Sequence, residues 1–389
     1  MTKSLSLFVF IDAFGWELLK RHPEFLAREL PHRSCLKSVL GYSSTCDPTI
    51  LTGLMPQDHG HFSFFCHNPT ESPFGLCRWL RFLPKSVTRR GRVRRMMSRL
   101  IKRLCGYTGY FQIYNMPFDR IQLFDYSEKR DIYEKGGINS GAPTIFDHLR
   151  ENGVPFSLSD WRAGEEANLA ALAREVDAGE IRFAYLYLAA MDAVLHADGT
   201  SSPRVDAKIA WYDRELRALL ERARGRYDEV RVFAFSDHGM TDIRETCDLM
   251  PRIEATSLRF GEDYAAVYDS TMARFWFLKE GAREKIEEAL RGEPRGRILG
   301  PAELEEFQCR FPGDKYGQLF FLLEPGVLLC PSFMGETPLA GMHGYTPEDK
   351  DTDAMFASSV PCEPPPRRLD DLFALMKREA DAIIASMRS

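Results

Sequence analysis

Three aspartates and three histidines in this 389-residue sequence carry side chains able to hold a metal ion. Asp12 closes the apolar run Leu5–Ile11. Asp192 and His196, four residues apart, follow the run Ile181–Leu188. Asp237 and His238 stand in Phe235-Ser-Asp-His-Gly-Met240, after another apolar run, and His343 stands in Gly341-Met-His-Gly-Tyr345. Each of these residues alone would more often be a cap, a turn residue or a satisfied histidine. Their joint recurrence after apolar runs favours a site. A mixed carboxylate and imidazole set of this size suits two divalent transition metals, zinc above all. A second group able to do chemistry is the hydroxyl run Ser43, Ser44 and Thr45. It precedes a short apolar segment ending at Thr52-Gly53, and Pro48 suits the first turn of a helix there. Hydroxyls at a helix N-terminus face unpaired N–H groups and the positive end of the dipole, a setting for capping or for an incoming phosphate or sulfate.

The elements that must position these residues read as an α/β rhythm. Leu5–Ile11 is a continuous apolar run, the pattern of a central parallel strand covered on both faces. Trp16–Leu30 reads as helical with a break or new start at Pro23. Thr144–Glu151, Glu165–Val176, Arg204–Arg222 and Ala282–Leu290 read as helices. Val154–Leu158, Ile181–Leu188, Glu229–Ser236, Ala265–Leu278, Leu319–Leu323 and Val327–Cys330 read as strands. Three consecutive prolines then precede a terminal helix, Leu369–Met387. Alternation of this kind predicts a mostly parallel central sheet with helices on both faces, and residues at the carboxyl ends of such strands line the ligand crevice.

One region differs. Ser72–Phe118 holds eleven Lys or Arg and no Asp or Glu, with Trp79, Leu80, Phe82, Leu83, Met96, Met97, Leu100, Ile101 and Leu104 interleaved. This pattern fits contact with an anionic membrane surface, a cationic lid over an anionic substrate, or an inserted helical hairpin with a solvated basic face. Arg78–Arg103 is expected beside the mouth of the site, where it recruits an anionic or amphiphilic substrate. No recognisable nucleic-acid-binding module accompanies the charge, so no nucleic-acid partner is expected. The sequence is 44% hydrophobic and 28% charged with a net charge of −5, the balance of a globular chain. Residues 1–389 are read as one α/β domain, with 72–141 as a basic insertion. Nine cysteines scattered without C-x-x-C spacing fit a reducing cytoplasm, and no small-residue cleavage site follows Leu5–Ile11. The composition leaves the oligomeric state open.

The order of these motifs resembles the alkaline phosphatase superfamily, most of all its nucleotide pyrophosphatase/phosphodiesterase branch. The likeness runs from Phe8 to about Tyr345, with Ser72–Gly141 as the least matched part. It implies that Asp12, Ser43, Asp237 and His238 bind one zinc, and that Asp192, His196 and His343 bind the other. It also implies that the nucleophile stands nine residues before the Thr of Thr52-Gly53, which selects Ser43 over Ser44 and Thr45 and leaves His59-Gly60 in register. The implied activity is two-metal hydrolysis of a small-molecule phosphate ester, a phosphodiester or pyrophosphate above others, through a phosphoseryl intermediate. A phosphotransferase, a sulfate or phosphonate hydrolase, and a non-catalytic metal-bound scaffold that binds a membrane or partner are the alternatives. Two features depart from the branch. Ser43-Ser44-Thr45-Cys46 replaces its Thr-Phe-Pro-Asn type segment, and Phe64 falls where the branch has an Asn that holds the phosphoryl oxygen, with Asn68 out of register. Cys46-Asp-Pro48-Thr is also similar to the Cys-x-Pro-Ser-Arg of sulfatases, but Ile50 replaces the Arg and Cys46 lies too near Thr52-Gly53.

Overall fold

The first strand, Ser4–Ile11, divides the core by the alternation of its side chains. Leu5, Leu7, Val9 and Ile11 face one layer, where they meet the helices Glu165–Ala178, Ala190–Asp198 and Pro203–Arg224. Phe8 and Phe10 face the other, formed by the helices Ser43–Thr52, Ile145–Glu151 and Asp371–Arg388. Ser6, also buried, donates to Glu379 of the terminal helix at 2.9 Å. The computed structural model describes residues 3–75, 77 and 90–388.

The central sheet has six strands in the order His32–Leu36, Ala354–Ser358, Glu229–Phe235, Ser4–Ile11, Phe183–Leu188, Phe156–Leu158. The last four are parallel. Ala354–Ser358 runs antiparallel to both of its neighbours. The mostly parallel α/β sheet expected from the sequence is therefore present. Ile11 pairs with Leu188, and Phe10 with Phe235, so three carboxyl ends converge at one edge. Asp12, Asp192 and Asp237 all follow those ends.

Several elements differ from the sequence reading. After Pro23 there is no helix: Trp16–Arg21 ends, and turns follow. Arg33 donates to the carbonyls of Pro23, Phe25 and Leu30, supplying partners that a continued helix would have given. Ala265–Leu278 is a hairpin, Tyr264–Tyr268 and Met272–Phe277, and it belongs to a separate four-stranded antiparallel sheet with Leu319–Leu323 and Gly296–Ile298. Asp269 and Ser270 supply the turn, where the Asp269 N–H bonds the Met272 carbonyl at 2.9 Å. Pro48 lies inside its helix rather than in the first turn, because the helix already begins at Ser43. Of the basic region, Gly91–Cys105 is helical, while Arg78, Trp79, Leu80, Phe82 and Leu83 lie outside the described residues.

Candidate metal centre and its cavity

Asp12, Asp237 and His238 form one buried cluster, and Asp192, His196 and His343 a second. In each, one potential ligand atom per residue lies within 4.8 Å of the others. The His238 and His343 rings stack at 3.6 Å with an interplanar angle of 11°, which joins the clusters into one site. The local backbone makes this possible. Ala13, at φ 60°, turns its N–H onto Asp237 Oδ1 at 3.1 Å. Both His-Gly pairs need glycine: a Cβ on Gly239 would meet the Asp351 carbonyl at 2.2 Å, and one on Gly344, at φ 89°, would meet the Tyr42 ring at 2.6 Å.

The hydrogen bonds orient the imidazoles for cation binding. His238 Nδ1 lies 2.8 Å from the Gly239 carbonyl, and His196 Nδ1 lies 2.8 Å from the Gly341 carbonyl. A carbonyl only accepts, so each Nδ1 carries the proton and each Nε2 presents a lone pair. Those lone pairs meet carboxylates: His238 Nε2 is 3.0 Å from Asp237 Oδ2, and His196 Nε2 is 3.2 Å from Asp192 Oδ1. Asp12 Oδ1, Asp192 Oδ1 and Asp237 Oδ2 are buried without a hydrogen-bond partner. Only a proton or a shared cation between such atoms relieves the repulsion, and the donor set fits a divalent metal in both places.

The electrostatics point the same way. Burial pushes the Asp12 carboxyl well up, the Asp237, Asp192 and Asp47 carboxylates add to this, and the Tyr187 hydroxyl, donating to Asp12 Oδ2 at 2.6 Å, opposes it. Burial lowers the His238 imidazole, but the adjoining Asp237 carboxylate outweighs burial and raises it. His343 is held well below its usual value by burial and then by His238. Asp192 is pushed up by burial, yet its His196 contact leaves it low.

Of the three neighbouring hydroxyls, Ser43 Oγ is the one beside a cluster, 3.1 Å from His238 Nε2. Thr45 is fully buried, and its hydroxyl donates to the Phe62 carbonyl at 2.6 Å. Ser44 donates to the same carbonyl at 3.2 Å. The first turn of the Ser43–Thr52 helix thus sits at the site.

A cavity of about 660 Å³ opens above the clusters. Asp12, Ser43, Asp192 and His343 line its floor, and Phe64, Tyr110, Tyr114 and Trp161 line one wall. Phe64 stacks on Tyr114 and Tyr126 with near-parallel rings. Among the described residues no Lys or Arg lines the cavity, and the part of the basic region that reaches it, Tyr110, Tyr114 and Asn115, is neutral. The stretch 78–89, which carries the rest of the expected basic lid, lies outside the described residues. Asn68 bonds Glu71 and Thr70 instead of the site. Sequence reasoning missed Asp47, Tyr187 and Glu128. Asp47 was discoverable, standing four residues after Ser43 on the same helix. Tyr187 and Glu128 carry no sequence signal of this kind. Burial pushes Glu128 up to about 8.

Residues 107–346 match the family described as type I phosphodiesterase / nucleotide pyrophosphatase. No curated protein matches the chain. Among solved structures, human ectonucleotide pyrophosphatase/phosphodiesterase 5 superposes with a TM-score of 0.69 at 16% identity, covering 97% of this chain and 95% of that one. The murine counterpart gives 0.69 at 18% identity over the same shares. An inactive variant of the murine protein, in complex with AMP, gives 0.69 at 17%, again over 97% and 95%. These likenesses carry the alkaline phosphatase-like fold.

Proposed function

The chain belongs to the type I phosphodiesterase / nucleotide pyrophosphatase family and is a metal-dependent hydrolase of phosphoric ester bonds; from that premise we propose that it cleaves a phosphodiester or pyrophosphate through a phosphoserine at Ser43. The observation that carries this reading is the position of Ser43 Oγ, 3.1 Å from His238 Nε2 and so beside one of two joined clusters of carboxylates and imidazoles. Asp12, Asp237, His238 and Ser43 would hold one divalent cation, and Asp192, His196 and His343 a second, with zinc matching the donors. When bound, such cations lower the pKa of a coordinated hydroxyl or water and offset charge on phosphoryl oxygens.

The chain's own residues do the rest. Ser43 Oγ attacks phosphorus, the ester oxygen leaves, and water later cleaves the phosphoserine. The N-terminal end of the Ser43–Thr52 helix, through its dipole, favours the charge that builds on the phosphoryl oxygens where the family's Asn is replaced by Phe64. Tyr187 holds Asp12 in place through its 2.6 Å hydrogen bond. The neutral, aromatic wall suits the second ester group of a diester better than the extra charge of a monoester. The murine neighbour that holds AMP supports a nucleotide-like group among the candidates. We take residues 1–389 as one such domain with 72–141 inserted, in a cytoplasmic setting that suits its nine free cysteines. The test is a screen of the zinc-loaded protein against aryl phosphate diesters, monoesters and sulfates. Highest kcat/KM on a diester is expected; preference for a sulfate or a monoester would overturn the assignment.

A further inference from the structure

The helix Gly91–Cys105 contains six Arg or Lys and no acidic residue. One side of it grips the protein. The buried Arg94 guanidinium donates to the carbonyls of Tyr114 (2.6 Å) and Met116 (2.9 Å). Ser98 Oγ accepts from the Ile113 N–H at 3.1 Å, and Lys102 donates to the carbonyls of Thr108 and Gly109. The other side is apolar and in solvent: Met96, Leu100 and Leu104 are 65%, 56% and 70% exposed. These are among the most exposed large hydrophobic side chains of the described residues, and their spacing of four puts them in one stripe. At the helical repeat, Arg92, Arg99 and Arg103 run along one edge of that stripe.

We propose that this face docks on an anionic lipid bilayer. An apolar stripe flanked by arginines, on a helix of low overall hydrophobicity, matches the chemistry of an acyl and headgroup boundary with negative charge. A second copy of the chain is a poor occupant, because two such helices would bring like charges together. Among the described residues no helix is long and apolar enough to cross a membrane, so the contact is peripheral. The helix holds the segment whose Tyr110, Tyr114 and Asn115 line the cavity. Docking therefore holds the segment that bears Tyr110 and Tyr114 one helix away from the lipid, a placement that suits an amphiphilic phosphate ester as substrate. That purpose rests on the reading of the site as a phosphodiesterase; the docking itself does not.

The test is co-sedimentation of the full chain with vesicles of phosphatidylcholine alone, or of phosphatidylcholine with phosphatidylserine, at low and high salt. The parent protein is expected to bind the anionic vesicles about tenfold or more above the neutral ones, with the preference fading as salt rises. Joint M96S, L100S and L104S substitution should abolish binding, and R92Q, R99Q and R103Q should remove its salt-sensitive part. Unchanged circular dichroism and unchanged turnover of a soluble diester would show that both variants fold and that the chemistry stands apart. Equal binding to both vesicles, no binding at low salt, or binding that survives the triple serine variant would overturn the proposal. So would a monomer–dimer equilibrium that the serine variant abolishes, since the face would then join two copies.

Discussion

The floor and the aromatic wall of the cavity are built on opposite principles. The floor gathers carboxylates and imidazoles with buried, unpartnered oxygens that a shared proton or cation would satisfy. The wall is made of rings that already satisfy one another: Phe64 stacks on Tyr114 and Tyr126, and the Tyr110 and Tyr114 hydroxyls lie 3.0 Å apart. Electrostatic cost concentrates where charge must be moved, and packing surface lies where an organic group must be chosen. Substitutions on the floor should therefore change rate and metal content, and those on the wall should change affinity or pH response.

Ser43→Ala is the most severe test of this division. Turnover should fall on the order of 10³-fold or more while metal still binds through Asp12, Asp237 and His238. Ser44→Ala and Thr45→Ala should keep measurable activity, since both hydroxyls are engaged with the Phe62 carbonyl. Steady-state kinetics with metal analysis reads all three, and near-normal turnover by the Ser43 variant would erase the distinction between floor and wall. His343→Ala ranks next. It removes one of three donors from the more open cluster, and metal affinity there should fall about a hundredfold or more, with the fold kept. Competition with a chromogenic chelator measures the loss, and a chelator titration identical to the parent's would place His343 outside the ligand set.

On the wall, Phe64→Ala should raise KM for an aromatic diester by roughly five- to tenfold, the worth of one ring contact, and leave kcat nearly unchanged. A drop in kcat instead would mean that Phe64 supports the reacting groups. The smallest effect concerns stability. Burial raises Glu128 from about 4.5 to about 8, so its neutral form is favoured in the folded chain. The folded state then binds more protons at this group than the unfolded one between these values, so the Glu128 contribution to stability is most favourable below about 4.5 and is lost as pH rises to about 8. Glu128→Gln should match the parent Tm near the lower pH and exceed it by a few degrees above the upper one. A pH-independent difference would show that the carboxyl does not titrate across this window.

The same contrast explains what could be read in the sequence. The floor was legible because its residues follow the apolar runs of the parallel strands, and pairing of Ser4–Ile11 with Phe183–Leu188 and Glu229–Phe235 is what brings them together. Asp-x-x-x-His at 192 and 196 reports one helix face directly. The wall was not legible: its rings come from Phe64, from Tyr110–Tyr126 and from Trp161, joined by contacts without periodicity. His32–Leu36 was missed as a strand because it is a mixed-polarity edge, and Ala354–Ser358 because its small residues Ala354, Ala357 and Ser358 leave only Met355 and Phe356 as large apolar signals. The hairpin at Tyr264–Phe277 was blurred into a single run because its turn, Asp269-Ser270-Thr271, is buried and contributes Asp269 to the fully buried Arg274 (2.7 Å).

The central claim is that two cations sit side by side at the sheet edge with Ser43 against one of them. Anomalous scattering at the zinc edge, from crystals of the zinc-loaded protein, tests it most directly. Two peaks are expected, one among Asp12, Asp237 and His238 next to Ser43 Oγ, the other among Asp192, His196 and His343. A single peak, peaks away from these six side chains, or a metal far from Ser43 would contradict the account.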